Sequence, residues 1–245
     1  MLKIIIPMAG EGKRFQEAGY TFPKPLIEIK GHSMIEMIVD NITPSQPHQF
    51  IFICKQEHIN RFALDDVLKL IAPNCIIIPL HQSTAGALCS VLLASEFLLK
   101  DSNLLIANYD QILDFSMEKF LAGCRQEKTD GCIVTFTSRH PKWSFVKVVD
   151  NEVVAVAEKR PISDIATAGL YFFRSSRAFL ESAEEMLLKN ASLSGEYFVC
   201  PVYNELILKG HHITIYHLER GCMHSLATPE DVEEFVSSSA YRFIK

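Results

Sequence analysis

Gly10 and Gly12 flank Glu11 and are followed by Lys13, Arg14 and then Lys24, which stands between Pro23 and Pro25. Residue types in this pattern hold anions. The glycines leave backbone N–H groups uncovered, and three cationic side chains answer a ligand that carries several negative charges. The loop follows an apolar run, "IIIPMA", so a strand delivers it to a helix start, the usual geometry of a phosphate cradle. Two common cradles are excluded by residue identity. A Walker A loop requires Ser or Thr after its Gly-Lys pair, and Arg14 follows Lys13 here. The dinucleotide fingerprint requires a third glycine where this chain has Phe15. A second chemical feature lies at Asp110, which closes the apolar run "LLIANYD" and so falls at a strand's carboxyl edge, where open α/β sheets bind ligands.

The elements that must position these residues alternate between short apolar runs and longer amphipathic stretches. Strands are expected at 3–8, 49–54, 75–80, 103–107, 131–137, 145–149, 152–157, 167–173 and 213–218, several of them apolar throughout, as befits strands covered on both faces. Helices are expected from Ser33, where Ser33 and Glu36 form a capping box, and over 58–72, 84–99, 115–127, 175–189, 198–209 and 228–238. Asp150-Asn151 between two β-rich runs predicts a hairpin, so the second half mixes antiparallel pieces into the sheet. The fold class that follows is α/β, a single-domain Rossmann-like mixed, mostly parallel sheet with helices on both faces.

Composition narrows the partners. With 48% hydrophobic and 22% charged residues in 245, the chain has ample material for a core, and its formal charge of -5 offers no footprint for a nucleic-acid backbone. "IIIPMA" is too short to span a bilayer and lacks a signal-peptide cleavage pattern, so neither membrane nor export is expected. Seven cysteines without a C-x-x-C pair predict reduced thiols and a cytoplasmic location. No Cys/His spacing suits tetrahedral zinc. A homo-oligomer is compatible with "LDDVLKLIA" and "VEEFVSSSAYRFI", each of which can be core helix or contact surface.

Gly10-Glu11-Gly12-Lys13-Arg14-Phe15 with Pro23-Lys24-Pro25-Leu26 resembles the signature of the sugar-phosphate nucleotidyltransferases, the nucleotide-sugar pyrophosphorylase family. The segments "STAGALCSVLLA", "LLIANYDQ", "AEKRP", "TAGLYFF" and "LATPEDVEEF" follow in the family's order, so the resemblance covers most of the chain. It implies the nucleotide-diphospho-sugar transferase fold, with residues 1–115 as a nucleotide-binding half and 116–245 as an acceptor-binding half. The implied reaction joins an NTP to a phosphorylated small-molecule acceptor and releases pyrophosphate. The attacking phosphate oxygen is already anionic, so no general base is needed, and the protein must supply cations, metal and alignment.

By the same resemblance, Arg14 and Lys13 face the triphosphate, and Lys24 bridges toward the α-phosphate and the acceptor. Asp110 is the ligand of Mg²⁺, and Lys159 holds the acceptor phosphate. Met8, Ala9, Gly10, Gly12, Gln82, Gly86 and Asn108 complete the nucleotide site, while Glu158, Arg160, Ala168, Gly169 and Glu196 line the acceptor pocket. Arg160 stands inserted in the family's E-K-P and could bind an extra carboxylate or phosphate. The family's second metal-ligating Asp or Asn falls here on Ser225 or His224, so either waters and phosphates complete the octahedron or another residue substitutes.

Compact family members without a long C-terminal extension include ones that activate phosphocholine or phosphoglutamine with CTP. CTP is therefore the favoured donor, in the service of surface polysaccharide precursors. A thymidylyl or uridylyl enzyme acting on a hexose 1-phosphate is the alternative, and a nucleotide-sensing module without turnover is the rival of another class. A hydrolase or acyl transferase has no G-x-S-x-G elbow to work with.

Overall fold

The computed structural model describes residues 1–125 and 129–238. β1 (Leu2–Pro7) passes through the glycine loop into the short α1 (Lys13–Glu17), a 3-10 turn at Lys24–Leu26, and a small hairpin of β2 (Glu28–Ile29) and β3 (His32–Ser33). α2 (Met34–Ile42) starts with the expected capping box: Glu36 N–H donates to Ser33 Oγ at 3.3 Å and Ser33 N–H to Glu36 Oε2 at 3.2 Å. Next come β4 (His48–Lys55), α3 (Gln56–Phe62), α4 (Leu64–Ile71), β5 (Ile76–Leu80), α5 (Ala87–Leu92), β6 (Leu104–Ala107), β7 (Gln111–Leu113) and α6 (Met117–Cys124). The second half runs β8 (Gly131–Thr137), β9 (Ser144–Val149), β10 (Glu152–Glu158), β11 (Ile165–Phe173), α7 (Ser176–Leu188), α8 (Val202–Leu208), β12 (Ile213–His217), β13 (Met223–Ser225) and α9 (Pro229–Ser237).

The mixed central sheet has the order β10-β9-β11-β6-β1-β4-β5, with β8 joining β11 and β12 off this path. β1 pairs in parallel with both β4 and β6. β11 then turns the pattern antiparallel against β6, β8 and β9. The apolar runs are explained by cover on both faces: Ile4 and Ile6 pack into one core, while Ile5 between them packs into the other. β4 alternates the same way, with Phe50 and Phe52 on one face and Ile51 and Ile53 on the other. Pro79 is tolerated in β5 because that strand ends the sheet and its missing N–H costs no ladder bond. Asp150 and Asn151 turn the β9–β10 hairpin with φ of 49° and 65°, the left-handed pair of a type I′ turn.

Four helix boundaries depart from the periodicity reading. The stretch 58–72 is two helices, broken at Ala63, which adopts a left-handed φ of 49°. Within 84–99 only α5 is α-helical, followed by a 3-10 turn at Ser95–Leu98. α8 begins at Val202 rather than 198. α6 ends at Cys124, and residues 126–127 of the expected helix lie outside the described residues. The helix of "LDDVLKLIA" buries Leu64 and Leu68, and that of "VEEFVSSSAYRFI" buries Val232 and Phe235, so both serve the core; residues 239–244 lie outside the described residues. Among the described residues, no helix is long and apolar enough to cross a membrane.

Candidate active site

After β1 the chain moves to β4 and β5 on one side, then returns to place β6 on the other. This reversal splays the loops that leave the carboxyl ends of β1 and β6, opening the crevice where doubly wound sheets take ligands. The two loops are 8–12 and 108–110, so topology brings the glycine loop and Asp110 together.

Lys24 and Asp110 meet at the centre. Lys24 Nζ lies 2.7 Å from Asp110 Oδ2, with the lysine side chain 8% exposed and the aspartate 23%. The lysine also lies over two aromatic faces, 5.1 Å from the ring centre of Tyr109 and 5.6 Å from that of Phe15. Pro23 and Pro25 hold its backbone in the 3-10 turn. Asp110 is fixed from behind as well, because Leu226 N–H donates to its backbone carbonyl at 2.7 Å. Asp110 lines two clefts, and Lys24 lines the first of them. On one side, Gly12, Lys13, Arg14 and Lys24 rim an open hollow of about 340 Å³. Lys13 and Arg14 are exposed and form no ion pair with another described residue, which leaves their charges available to a ligand.

On the other side is a cleft of about 450 Å³. It gathers Ala9, Gly10, Gly86, Asn108 and Asp110 from the first half of the chain, and Glu158 and Glu196 from the second. A third, polar hollow of about 710 Å³ contains Gln82 and shares Ala9, Glu11 and Ser83 with this cleft. The shared ridge is tied by Glu11, whose Oε1 accepts from Lys55 Nζ at 2.6 Å and from Ser83 Oγ at 3.0 Å. The Lys55 hydrogen bond, aided by Ser83, holds the Glu11 carboxyl below its ordinary range. An acid inside an anion loop is thereby neutralised.

The far end of the cleft is built differently. Burial pushes the Glu158 carboxyl up, against the pull of its hydrogen bond from Ser144 Oγ and of nearby Lys159, and with help from Glu196. Lys159 is exposed at the rim, its Nζ 4.5 Å over the ring of Phe198, which lines the cleft. Arg160 is exposed on the turn beyond β10, outside the residues that line the three clefts. Met8 is wholly buried and its N–H donates to Ile53 at 2.8 Å, so it supports the loop from beneath. Ala168 is buried in β11, and neither it nor Gly169 is among the lining residues; Gly169 packs behind Asn108, which is, and a Cβ there would lie 2.1 Å from Gln111 Oε1 and 2.6 Å from Asn108 Nδ2.

Glu158 provides a stability prediction. Its folded pKa lies above the unfolded value near 4.5, so the folded state favours the proton. Its contribution to stability is full below that unfolded value and is lost as pH rises through the folded one. Glu158→Gln removes the titrating charge and is expected to melt higher than wild type at about pH 7.5, with the gap closing toward about pH 4. Thermal melts across pH check this; a gap that stays constant with pH would refute it.

Asp110 also bears on metal. Its Oδ1 has no protein partner among the described residues, and a hard carboxylate oxygen in a polar crevice suits a hard divalent cation that keeps waters and phosphate oxygens as its other ligands. β13 pairs with β7 so that Ser225 stands opposite Gln111, beside Asp110. Ser225 Oγ, however, donates to Asp231 Oδ2 at 2.7 Å, and the His224 ring lies 5.5 Å from that of Phe235, with burial pushing its pKa down. Asp110 therefore fits the role of a single protein carboxylate.

Several lining residues escaped sequence reasoning: Lys55, Ser83, Thr84, Tyr109, Ser144 and Phe198. Lys55 had a signal, since it ends the apolar run "QFIFICK" just as Asp110 ends "LLIANYD".

The sequence model of the nucleotidyl transferase family matches residues 3–205. Among solved structures, the nucleoside-diphosphate-sugar pyrophosphorylase from Vibrio cholerae RC9 is 28% identical, with a TM-score of 0.81 over 96% of this chain and 100% of that one. A Bacillus anthracis protein assigned as a glucose-1-phosphate thymidylyltransferase is 17% identical, with a TM-score of 0.76 over 100% of this chain and 97% of that one. The inositol-1-phosphate CTP transferase from T. maritima is 14% identical, with a TM-score of 0.75 over 96% and 92%. No curated protein matches the chain.

Proposed function

Because the chain belongs to the nucleotidyl transferase family and is an enzyme of that class, we propose that it transfers a nucleoside monophosphate from CTP to a phosphorylated small molecule in a Mg²⁺-dependent reaction. A phosphate oxygen of the acceptor forms a bond to the α-phosphorus, the bond from that phosphorus to the bridging oxygen breaks, and pyrophosphate leaves with the electron pair. The activated product serves as a precursor for surface polysaccharide. The nucleotide is held by residues of 1–115 and the acceptor by residues of 116–245.

The observation that carries this reading is that Asp110 lines both the cationic hollow and the acid- and aromatic-lined cleft, and is paired there with Lys24 of the hollow. Lys13 and Arg14 neutralise the β- and γ-phosphates, and Lys24 reaches the α-phosphate as charge shifts onto the leaving group. A divalent cation bound at Asp110 would add charge neutralisation across phosphate oxygens. Ala9, Gly10, Gly12, Gly86, Asn108 and the Gln82 amide surround the nucleoside, the amide able both to donate to and to accept from a pyrimidine edge, with Met8 supporting the loop. Lys159 draws in the acceptor phosphate, Arg160 extends the positive charge beyond it, and Glu158 and Glu196 enclose the rest of the acceptor, with Ala168 and Gly169 supporting that end from behind Asn108.

A thymidylyl or uridylyl enzyme acting on a hexose 1-phosphate is the second reading, favoured by the comparable likeness to the Bacillus anthracis thymidylyltransferase. Pyrophosphate release decides between them. Each NTP is paired with phosphorylated sugars, polyols, cholines and amino acids in the presence of Mg²⁺. CTP should give the highest kcat/KM with one acceptor. A rate with TTP or UTP equal to or above that with CTP would overturn the donor assignment, and no pyrophosphate from any pairing would overturn the reaction itself.

A further inference from the structure

Asp110 faces two cationic claims at once. Its Oδ2 already takes the ammonium of Lys24 at 2.7 Å, while its unpartnered Oδ1 is the oxygen that suits a divalent cation. An ammonium and a divalent ion on the two oxygens of one carboxylate stand only a few ångströms apart, and in a half-buried crevice their repulsion is poorly screened. Lys24 is not free to withdraw, because it is 8% exposed, framed by the Tyr109 and Phe15 rings, and held in a turn between two prolines. Its Cβ also lies 3.3 Å from where a Cβ on Gly12 would be, so the stem is pressed against the glycine loop. The same side chain lines the cationic hollow together with Lys13 and Arg14, so a ligand seated there meets its ammonium.

We propose that Lys24 makes divalent-cation binding at Asp110 conditional on the nucleoside triphosphate. Without the polyanion, Lys24 neutralises the carboxylate and repels a second cation. A triphosphate seated against Lys13 and Arg14 gives the ammonium phosphate oxygens to share, and the carboxylate charge becomes available to the metal. The ion and the nucleotide thus bind as a unit, and the metal alone does not fill the site. This inference rests on the assignment of Asp110 as the metal ligand and adds to it the gating role of its neighbour.

Mn²⁺ is the probe, followed by electron paramagnetic resonance and calorimetry, alone and with α,β-methylene CTP, which is not turned over. In wild type the analogue should tighten Mn²⁺ binding by about tenfold or more. Lys24→Met, which keeps the stem and deletes the charge, should bind Mn²⁺ alone at least about tenfold tighter than wild type and lose most of the gain from the analogue. Lys24→Gln should behave the same way if the methionine variant folds poorly, as judged by its melting temperature. Asp110→Asn should weaken Mn²⁺ binding in both conditions, the phosphate oxygens of the analogue being the ligands that remain. Lysine variants that bind Mn²⁺ alone no tighter than wild type, with Asp110→Asn still binding it more weakly, would overturn the gating and leave the metal ligand standing. Wild type that binds Mn²⁺ equally well with and without the analogue would overturn the gating too. Mn²⁺ bound by Asp110→Asn as tightly as by wild type in both conditions would overturn the ligand assignment itself.

Discussion

Asp110→Asn is expected to lower turnover by roughly a thousandfold, equivalent to about 4 kcal/mol of transition-state stabilisation. The substitution preserves shape and removes the one carboxylate that lines both the cationic hollow and the adjoining cleft. Two losses combine. On the proposed assignment a divalent ion loses its protein ligand, and Lys24 loses the partner that sets the position of its ammonium, 2.7 Å away. The second loss has a cost in stability that a surface aspartate would not incur: a lysine 8% exposed is left without its counter-charge, at about 1–3 kcal/mol. A melting temperature lowered by several degrees should therefore accompany the kinetic defect. Steady-state kinetics and thermal unfolding on the same preparation check both parts. Turnover within about tenfold of wild type would remove Asp110 from the centre of the reaction.

The legibility of these features in the sequence depended on how local their causes are. Apolar runs such as "IIIPMA" and "QFIFIC" announced strands because both faces of the sheet are covered, so Ile5 and its neighbours Ile4 and Ile6 are all apolar though they point opposite ways. The β9–β10 hairpin was legible in Asp150-Asn151 alone, two residues that tolerate a left-handed backbone. β7 and β13 left no trace, since three residues carry no period, and their pairing joins Gln111 to Ser225 across half the chain. Yet that pairing sets the backbone of Asp110. The break at Ala63 was equally silent, because alanine in a left-handed conformation has no compositional sign.

The site shows the same division. Lys13, Arg14 and Lys24 fall within one local pattern, and their surroundings on one rim follow from it. The contact between Lys24 and Asp110 spans 86 positions and required the β1–β6 reversal to become visible. Glu11 is the clearest case of a residue whose meaning is spatial. In sequence it is an acid misplaced in an anion cradle; in space Lys55 neutralises it, Ser83 donates a hydrogen bond to it, and it becomes a tie between two hollows.

Gly86→Ala should be strongly damaging for the addition of a single methyl group, because it acts on both halves of the site through one contact. Gly86 has φ of 106° and ψ of 174°, a region essentially closed to side chains. A Cβ there would stand 2.5 Å from the carbonyl oxygen of Tyr197 and 2.7 Å from its nitrogen. Those are backbone atoms, which cannot swing aside as a side chain would. The approach is close because two hydrogen bonds lace the segments together: Tyr197 N–H donates to Ala85 at 2.8 Å, and Leu88 N–H to Tyr197 at 3.0 Å. Backbone strain of about 1–3 kcal/mol, added to about 0.5–1.5 for each strained hydrogen bond, gives a destabilisation of roughly 2–6 kcal/mol. For a chain of this size that corresponds to a fall in melting temperature on the order of 5–20 °C. The kinetic consequence follows from what the lacing carries. One segment presents Ser83 and Thr84 to the first half of the cleft, and the other presents Glu196 and Phe198 to the second. Pushing them apart should raise the KM of nucleotide and acceptor together, whereas a change confined to one subsite raises only one. A variant with an unchanged melting temperature, or with the KM of one substrate alone affected, would show that the two segments are not the single hinge of the cleft that their hydrogen bonds describe.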